Sequence, residues 1–208
     1  MAGSGPGPGD GGMTFSFPVS LDVTGRRCVV IGGGPVAAGR AAALGDAGAD
    51  VVEVPADAYH GDLLDGAFLA VLSGEDSTDP AIVFADGEAR GVLVNSMDDV
   101  EHCHFAFPAI VQRGDLRVAI STAGKAPALA RQLRIRLEEE LPPALATLVE
   151  VLSEAREAAL PRDVPFADWA ERWGRALADL DTLLAQCEDG RAGEVRDRIF
   201  RMVTQEVS

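Results

Sequence analysis

The sequence predicts an α/β fold in which a parallel sheet precedes a small β/α region and a helical C-terminal part. Three observations predict it. A β-branched run ends in a glycine-rich turn at Gly32, and strand-like runs alternate with helix-like segments as far as Asn95. From Ala126 onward, apolar residues recur at helical spacing. Alternating strands and helices imply right-handed crossovers, and therefore a parallel sheet.

The first element is a strand at Arg27–Ile31, which leads through a glycine turn into a helix over Pro35–Ala47. Gly32 permits a tight turn, Gly34 lets the backbone approach a pyrophosphate, and Ala37 allows close packing of helix on strand. Glycine turns also occur wherever a chain needs positive φ. The strand and helix on either side therefore favour a Rossmann-like dinucleotide site.

The elements that follow are a strand at Val51–Val54, a buried-type run at Ala67–Leu72, a helix around Asp79–Ala89 and a strand at Val92–Asn95. Ligands of such sheets bind at the carboxyl ends of the strands, where the glycine turn and residues 95–99 lie. An acidic residue that binds the ribose hydroxyls is expected roughly 20 to 25 residues after the first glycine. Asp57 fits that window, and Glu53 lies four residues before Asp57.

The pattern changes after residue 108. Short β-like runs at Ala109–Val111 and Leu116–Ile120 flank Arg113-Gly-Asp115, which predicts a hairpin. The predicted helices are Pro127–Glu140, Ala144–Ala159, Phe166–Gln186 and Gly193–Gln205. Trp169 and Trp173 lie four apart, on one helix face, and are expected in the core.

Composition restricts the classes of function. A net charge of −15 argues against a general nucleic-acid binder. No segment is long and apolar enough to span a bilayer. Three scattered cysteines suit a reducing cytoplasm better than a disulfide framework. Residues 1–13 are mostly Gly, Pro, Ser and Ala and are expected to form a disordered tail.

A basic island interrupts this acidic chain. Six cations stand against the single anion Asp115, and they are Arg113, Arg117, Lys125, Arg131, Arg134 and Arg136. Arg134 and Arg136 could instead pair with the carboxylates of 138–140 on a solvated helix face. Lys125 precedes Ala126-Pro127, a helix start whose amides favour anions. The segment 121–127 therefore predicts a second anion-binding turn.

Five ordered motifs resemble precorrin-2 dehydrogenase, both the stand-alone enzymes and the N-terminal module of siroheme synthase, from about Phe15 to Leu141. The motifs are Phe17-Pro-Val-Ser-Leu-Asp22, Val30-Ile-Gly-Gly-Gly-Pro-Val-Ala37, Val94-Asn-Ser-Met-Asp-Asp99, Phe107-Pro-Ala-Ile-Val-Gln-Arg-Gly114 and Val118-Ala-Ile-Ser-Thr-Ala-Gly-Lys-Ala-Pro-Ala-Leu-Ala-Arg131. The combination is far more specific than the glycine turn alone.

The resemblance implies oxidation of precorrin-2 to sirohydrochlorin with NAD as hydride acceptor, and some members also insert iron. It implies a homodimer whose active cleft forms between subunits. The implied domains are an NAD-binding Rossmann domain at 14–107, a dimerisation region at 108–141 and a helical domain at 142–208. The substrate carries eight carboxylates, which would account for the basic island.

The resemblance places the catalytic aspartate of the Asn-x-x-Asp element at Asp98, as general base, and leaves Asp99 as a cap of the following turn. The expected substrate-binding residues are Asn95, Arg113, Thr122, Lys125 and Arg131. The expected cofactor-binding residues are Gly32, Gly34, Pro35, Val36, Ala37, Ala56, Asp57 and Ser73. Thr122 stands where some members carry a phosphorylated serine, although a hydroxyl at the helix start is the simpler interpretation.

No metal site is expected from His102, Cys103 and His104, because an extended segment would offer only two ligands on one face. The chain departs from the family in lacking about one βα unit after Val54, and in carrying Ser73-Gly-Glu-Asp76 where Ala-Thr-Asp-Asp is typical. Three functions therefore remain: an NAD-dependent dehydrogenase, a bifunctional dehydrogenase and ferrochelatase, or a catalytically weakened NAD-binding regulatory or scaffold homologue.

Overall fold

The computed structural model describes residues 15–73, 78–97, 99–159 and 165–204. The predicted disordered tail, residues 1–13, lies outside them. The chain divides into two compact units between Phe107 and Pro108. Across the described ranges, no helix is long and apolar enough to cross a membrane.

The first unit is a four-stranded parallel sheet with helices. Its strands are β1 (Arg27–Ile31), β2 (Asp50–Val54), β3 (Leu69–Leu72) and β4 (Leu93–Ser96), and its helices are α1 (Gly34–Asp46) and α2 (Pro80–Arg90). The strand order is β2-β1-β3-β4, and every pairing is parallel. The predicted α/β fold is therefore confirmed.

The central strands are buried on both faces. Alternate residues of β1 enter two different apolar clusters: Val29 and Ile31 pack in one, and Cys28 and Val30 in the other. The second cluster also holds Ala37 of α1, which is 2% exposed. Continuous apolar runs are typical of parallel strands covered on both sides, which is why β1 and β3 were recognisable.

The sheet has fewer strands than a standard doubly wound sheet, whose strand order begins 3-2-1-4. Here β2 is one of the two edge strands, and its connection to β3 contains two 3₁₀ turns, Ala56–Ala58 and Gly61–Leu64, in place of a further helix and strand. The predicted loss of one βα unit is confirmed, and its effect is to narrow the sheet.

The second unit begins with an antiparallel hairpin and continues as helices. Its elements are β5 (Ala109–Arg113), β6 (Leu116–Ile120), α3 (Pro127–Glu140), α4 (Ala144–Ala158), α5 (Phe166–Ala176), α6 (Leu180–Glu188) and α7 (Ala192–Thr204). Gly114, at φ 57°, allows the tight turn of the predicted hairpin. Leu148, Leu183 and Ile199 are almost fully buried where α4, α6 and α7 pack.

The prediction of one helix over Phe166–Gln186 is wrong. The chain leaves the helical path after Ala176 and starts again at Leu180. Asp179 provides the physical reason, because its carboxylate accepts a hydrogen bond from the Thr182 amide and caps a new helix.

Candidate functional site

The candidate nucleotide site lies at the carboxyl ends of β1 and β3. Ile31 pairs with Leu72, so the glycine turn that follows β1 lies beside Ser73, which follows β3. The chain continues from β1 to β2 on one side, whereas β3 lies on the other. This reversal of strand order creates the crevice in which doubly wound proteins bind ligands.

Gly32 and Ser73 pack against each other so tightly that only glycine fits at position 32. Gly32 has φ 109°, and a Cβ added there would lie 2.2 Å from the Ser73 Oγ. The Gly32 amide donates to the Val54 carbonyl at 2.8 Å, and the Ser73 amide donates to the Ile31 carbonyl at 2.9 Å. Ser73 is 1% exposed, so it supports the glycine turn from the buried side.

Helix α1 begins directly at the turn. Gly34 has φ 79°, Pro35 occupies the first helical turn, and Gly33 at the N-cap carries no side chain to bond the first amides. Val36 is exposed at this end. A helix N-terminus that is reached by glycine backbone and receives no side-chain cap from the described residues is the arrangement that holds a pyrophosphate.

The end of β2 forms the other border of the crevice. Ala56 is buried, and its carbonyl accepts a hydrogen bond from the Thr78 hydroxyl at 2.7 Å. Asp57 follows, exposed, in the first 3₁₀ turn. Asp57 thus lies at the carboxyl end of β2, where an acidic residue can meet a ribose. The anchoring role of Thr78 had no signal in the sequence.

Asp98, the predicted catalytic base, lies outside the described residues. Asn95 is 7% exposed, and its Nδ2 donates to the Phe105 carbonyl at 2.8 Å. The Asn95 amide therefore anchors main chain, and its contact with substrate stays a prediction.

Asp99 was predicted to cap the turn that follows it, but its side chain bonds the side chain of a histidine. Asp99 precedes a 3₁₀ turn at Val100–His102 but makes no side-chain cap hydrogen bond to the described main chain. Its Oδ2 lies 2.9 Å from His102 Nδ1 instead, and this hydrogen bond lowers the pKa of Asp99.

The histidine and cysteine cluster has structural partners. His104 Nδ1 accepts from the Val94 amide at 3.0 Å, and its Nε2 contacts Glu88. Cys103 is buried beneath the end of β4. The part of the chain that the structure describes contains no group of three or more His, Cys, Asp or Glu side chains placed to hold a metal.

The cations of the basic island are of two kinds, those whose side chains have partners among the described residues and those that form no ion pair with them. Arg134 and Arg136 pair with Glu138 and Glu140, as the alternative interpretation predicted. Arg113 also has main-chain partners, because its guanidinium donates to the carbonyls of Gln112, Glu138 and Leu141 at 2.6–2.9 Å. The predicted substrate residue Arg113 thus caps the end of α3. Three exposed cations form no ion pair with any described residue: Arg117, Lys125 and Arg131.

The turn before α3 has two consecutive residues at positive φ, Ala123 at 51° and Gly124 at 76°. The Lys125 amide donates to the Thr122 carbonyl at 3.0 Å, which closes a type I′ turn. Thr122 Oγ1 accepts from the Ala126 amide at 3.1 Å. The threonine hydroxyl therefore has the helix-start partner that its simpler interpretation predicted.

Two family models match the chain. Residues 19–109 match the model described as "Putative NAD(P)-binding", and residues 113–140 match "Sirohaem biosynthesis protein central". The first match contains the whole parallel sheet, and the second runs from Arg113 to the end of α3.

Curated relatives are siroheme synthases. That of Photorhabdus laumondii is 35% identical over 180 residues, which cover 77% of this chain and 38% of the relative. That of Photobacterium profundum is 31% identical over 211 residues, which cover 92% of this chain and 44% of the relative. The chain therefore spans less than half the length of these relatives.

Among solved structures, SirC, precorrin-2 dehydrogenase, matches with a TM-score of 0.58 and 20% identity, over 89% of this chain and 99% of that chain. This likeness shows the fold. The two domain matches and the curated relatives lead to one conclusion: the chain carries an NAD(P)-binding domain followed by a sirohaem-biosynthesis central domain, and over most of its length it is similar to siroheme synthases.

Proposed function

We propose that this chain is a precorrin-2 dehydrogenase that uses NAD to oxidise precorrin-2 to sirohydrochlorin. The observation that carries the proposal is the glycine turn held against Ser73 at the switch point of an NAD(P)-binding domain. The chain continues from this domain into the sirohaem-biosynthesis central domain. The name of SirC, to which the fold is similar, supports the same reaction.

The residues of the crevice fit a dinucleotide. Gly32 has no side chain and lies against Ser73, so main chain alone forms the turn, and the first turn of α1 has no side-chain cap from the described residues. When bound, NAD would accept the hydride that leaves the reduced macrocycle. Asp57 would bond the ribose hydroxyls, and its charge would repel the 2′-phosphate of NADP. This charge is our reason for proposing NAD.

Asp98 is the proposed general base. Oxidation of precorrin-2 removes two hydrogens, one as hydride and one as a proton, and a carboxylate within hydrogen-bond reach can accept that proton. The exposed cations Arg117, Lys125 and Arg131 would attract the carboxylates of the macrocycle, because their charges are not neutralised by described neighbours. Thr122 and Arg113 would then support this surface through the main-chain bonds described above, and Asn95 would hold the end of β4 through its bond to Phe105.

We also propose a homodimer in the cytoplasm. Three apolar side chains of the hairpin and α3, Ile110, Leu129 and Leu133, are 39–53% exposed, as expected of a surface that a second subunit covers. The three cysteines are free thiols and are all buried, which is compatible with a reducing compartment.

Anaerobic mixing of the protein with precorrin-2 and NAD tests the reaction. We expect NADH absorbance and sirohydrochlorin to appear together, and Asp98→Asn to lower kcat by at least about 100-fold, the usual contribution of a general base. Asp46→Asn, at the exposed end of α1, is the matched control and should leave kcat unchanged. Asp57→Asn should raise kcat/KM for NADP relative to NAD.

The narrowed sheet favours a second candidate, a catalytically weakened NAD-binding homologue, because the strand that normally flanks β2 is missing. NAD binding without turnover of precorrin-2 would favour this candidate. Iron insertion by the same chain is tested separately, by adding ferrous ion to sirohydrochlorin with the protein and following siroheme formation.

A further inference from the structure

The open edge of β4 is covered by side chains in place of a fifth strand. β4 lies at the end of the sheet order, so its outward main-chain groups need partners. The His104 amide donates to the Val94 carbonyl at 2.7 Å, and His104 Nδ1 accepts from the Val94 amide. His104 therefore supplies both partners of one outward residue, in the way a neighbouring strand would.

Cys103 supplies the partners of the next outward residue, Ser96. The Ser96 amide donates to Cys103 Sγ at 3.1 Å, and Sγ lies 3.1 Å from the Ser96 carbonyl oxygen. Sγ also lies 3.2 Å from the Asp99 carbonyl oxygen. One sulfur thus contacts the main chain on both sides of residues 97 and 98.

The contacts of Cys103 Sγ with Ser96 and Asp99, here called the clasp, have a structural role. Cys103 is 3% exposed, and burial raises the pKa of its thiol, which keeps the S–H proton available as a donor. Asn95 Nδ2 lies 3.6 Å from the sulfur, and Asp99 is further held by His102. The described groups that hydrogen-bond to Sγ therefore lie at the end of β4 or in the segment that follows it.

We propose that Cys103 is a positioning residue of the dehydrogenase, whose thiol fixes Ser96 and Asp99 and so fixes the ends of the segment that carries Asp98. This inference depends on the proposed function, in which Asp98 is the base. The thiol acts through its hydrogen bonds, so its effect differs from that of a cysteine that only fills space.

Two substitutions separate hydrogen bonding from packing. Cys103→Val keeps the volume and removes both donor and acceptor, whereas Cys103→Ser keeps donor and acceptor with a smaller atom. Cys187→Val is the control, because Cys187 is buried on α6 and its sulfur makes no hydrogen bond with the described residues. If Cys103 only filled space, the valine variant would resemble wild type and the serine variant would be the more damaged.

Hydrogen exchange of the peptide that spans 95–105, measured by mass spectrometry, tests the hydrogen bonds of the Cys103 thiol independently of enzyme activity. We expect exchange to be about tenfold faster in Cys103→Val than in wild type, as for loss of about one buried hydrogen bond, and intermediate in Cys103→Ser. Unchanged exchange in Cys103→Val would overturn the proposal.

The kcat of the Cys103 variants tests whether the clasp contributes to the reaction. We expect kcat to fall about tenfold in Cys103→Val, with the KM for NAD unchanged and with partial recovery in Cys103→Ser. Faster exchange with an unchanged kcat would refute the positioning role. A wild-type protein that binds NAD but does not oxidise precorrin-2 would refute the proposed function instead, and the exchange data would still decide whether the thiol holds this segment.

Discussion

The contact between Gly32 and Ser73 makes a sharp prediction for Gly32→Ala. The backbone at Gly32 has φ 109°, a conformation that costs a residue with a side chain about 1–3 kcal/mol. The new methyl would also lie 2.2 Å from Ser73 Oγ and 3.2 Å from the Ser73 carbonyl oxygen. Relief of the first clash requires the Ser73 hydroxyl to turn away from the carbonyl oxygens that it contacts, those of Ile31 and Gly33.

The two contributions can be separated in a double-mutant cycle. Loss of the serine hydrogen bonds adds about 1 kcal/mol to the backbone cost, so Gly32→Ala should lower the free energy of unfolding of the first unit by about 2–4 kcal/mol. Ser73→Ala removes the clashing oxygen and leaves the Ser73 Cβ at a tolerable 3.5 Å. The double variant should therefore lose no more than Gly32→Ala alone, about 1 kcal/mol less than the sum of the two single losses, a coupling expected only of residues in contact.

Urea denaturation followed by circular dichroism measures each corner of the cycle, and NAD titration measures the site. Gly39→Ala is the matched control, because Gly39 lies inside α1 with nothing within 4 Å of its added Cβ, and alanine there should stabilise by about 0.5–1 kcal/mol. NAD affinity should fall in Gly32→Ala and stay unchanged in Gly39→Ala. Equal stability of Gly32→Ala and Gly39→Ala would refute the close-packing argument. Additive effects of Gly32→Ala and Ser73→Ala on the free energy of unfolding would refute it as well.

Three further predictions concern stability and ionisation. Ala123→Gly should raise the free energy of unfolding by about 1 kcal/mol in urea melts, because Ala123 has φ 51°; a decrease would contradict this. Arg113→Met should cost the second unit about 2 kcal/mol through loss of its bonds to three carbonyls, whereas exposed Arg117→Met should cost under about 0.5 kcal/mol. Burial and the hydrogen bond to Asp86 raise the pKa of Tyr59, the chain's single tyrosine. Its stabilising contribution is complete below pH about 10, where unfolded tyrosine ionises, and declines above it. Ultraviolet titration should therefore show tyrosinate later in native than in urea-unfolded protein, and coincident curves would count against the buried hydrogen bond.

Much of the sheet could be predicted because its strands are local apolar runs that end in glycine or polar residues. β1 at Arg27–Ile31 and α3 at Pro127–Glu140 begin and end where expected. The break at Ala176 could not be predicted, because apolar spacing continues through it and only the capping bond of Asp179 interrupts the helix.

The side-chain roles were harder to predict than the elements. Asn95 and Arg113 were predicted as substrate contacts from the family resemblance and the basic island, and neither pattern indicated their main-chain partners, at Phe105 and Leu141. Such bonds depend on where distant segments pass, which no local pattern records. The pairs of Arg134 with Glu138 and of Arg136 with Glu140 were predictable because helical spacing alone brings them together.

The direct passage from β2 to β3 has a consequence for how the family can vary in length. Residues 55–68 cross behind β1 without a helix, close to the dozen or so residues that a parallel connection requires. Shortening this crossing would pull β2 and β3 out of register, whereas lengthening it costs little loop entropy. The stretch between Val54 and Leu69 is therefore a natural insertion point, where added chain could widen the sheet while the glycine turn stays in place.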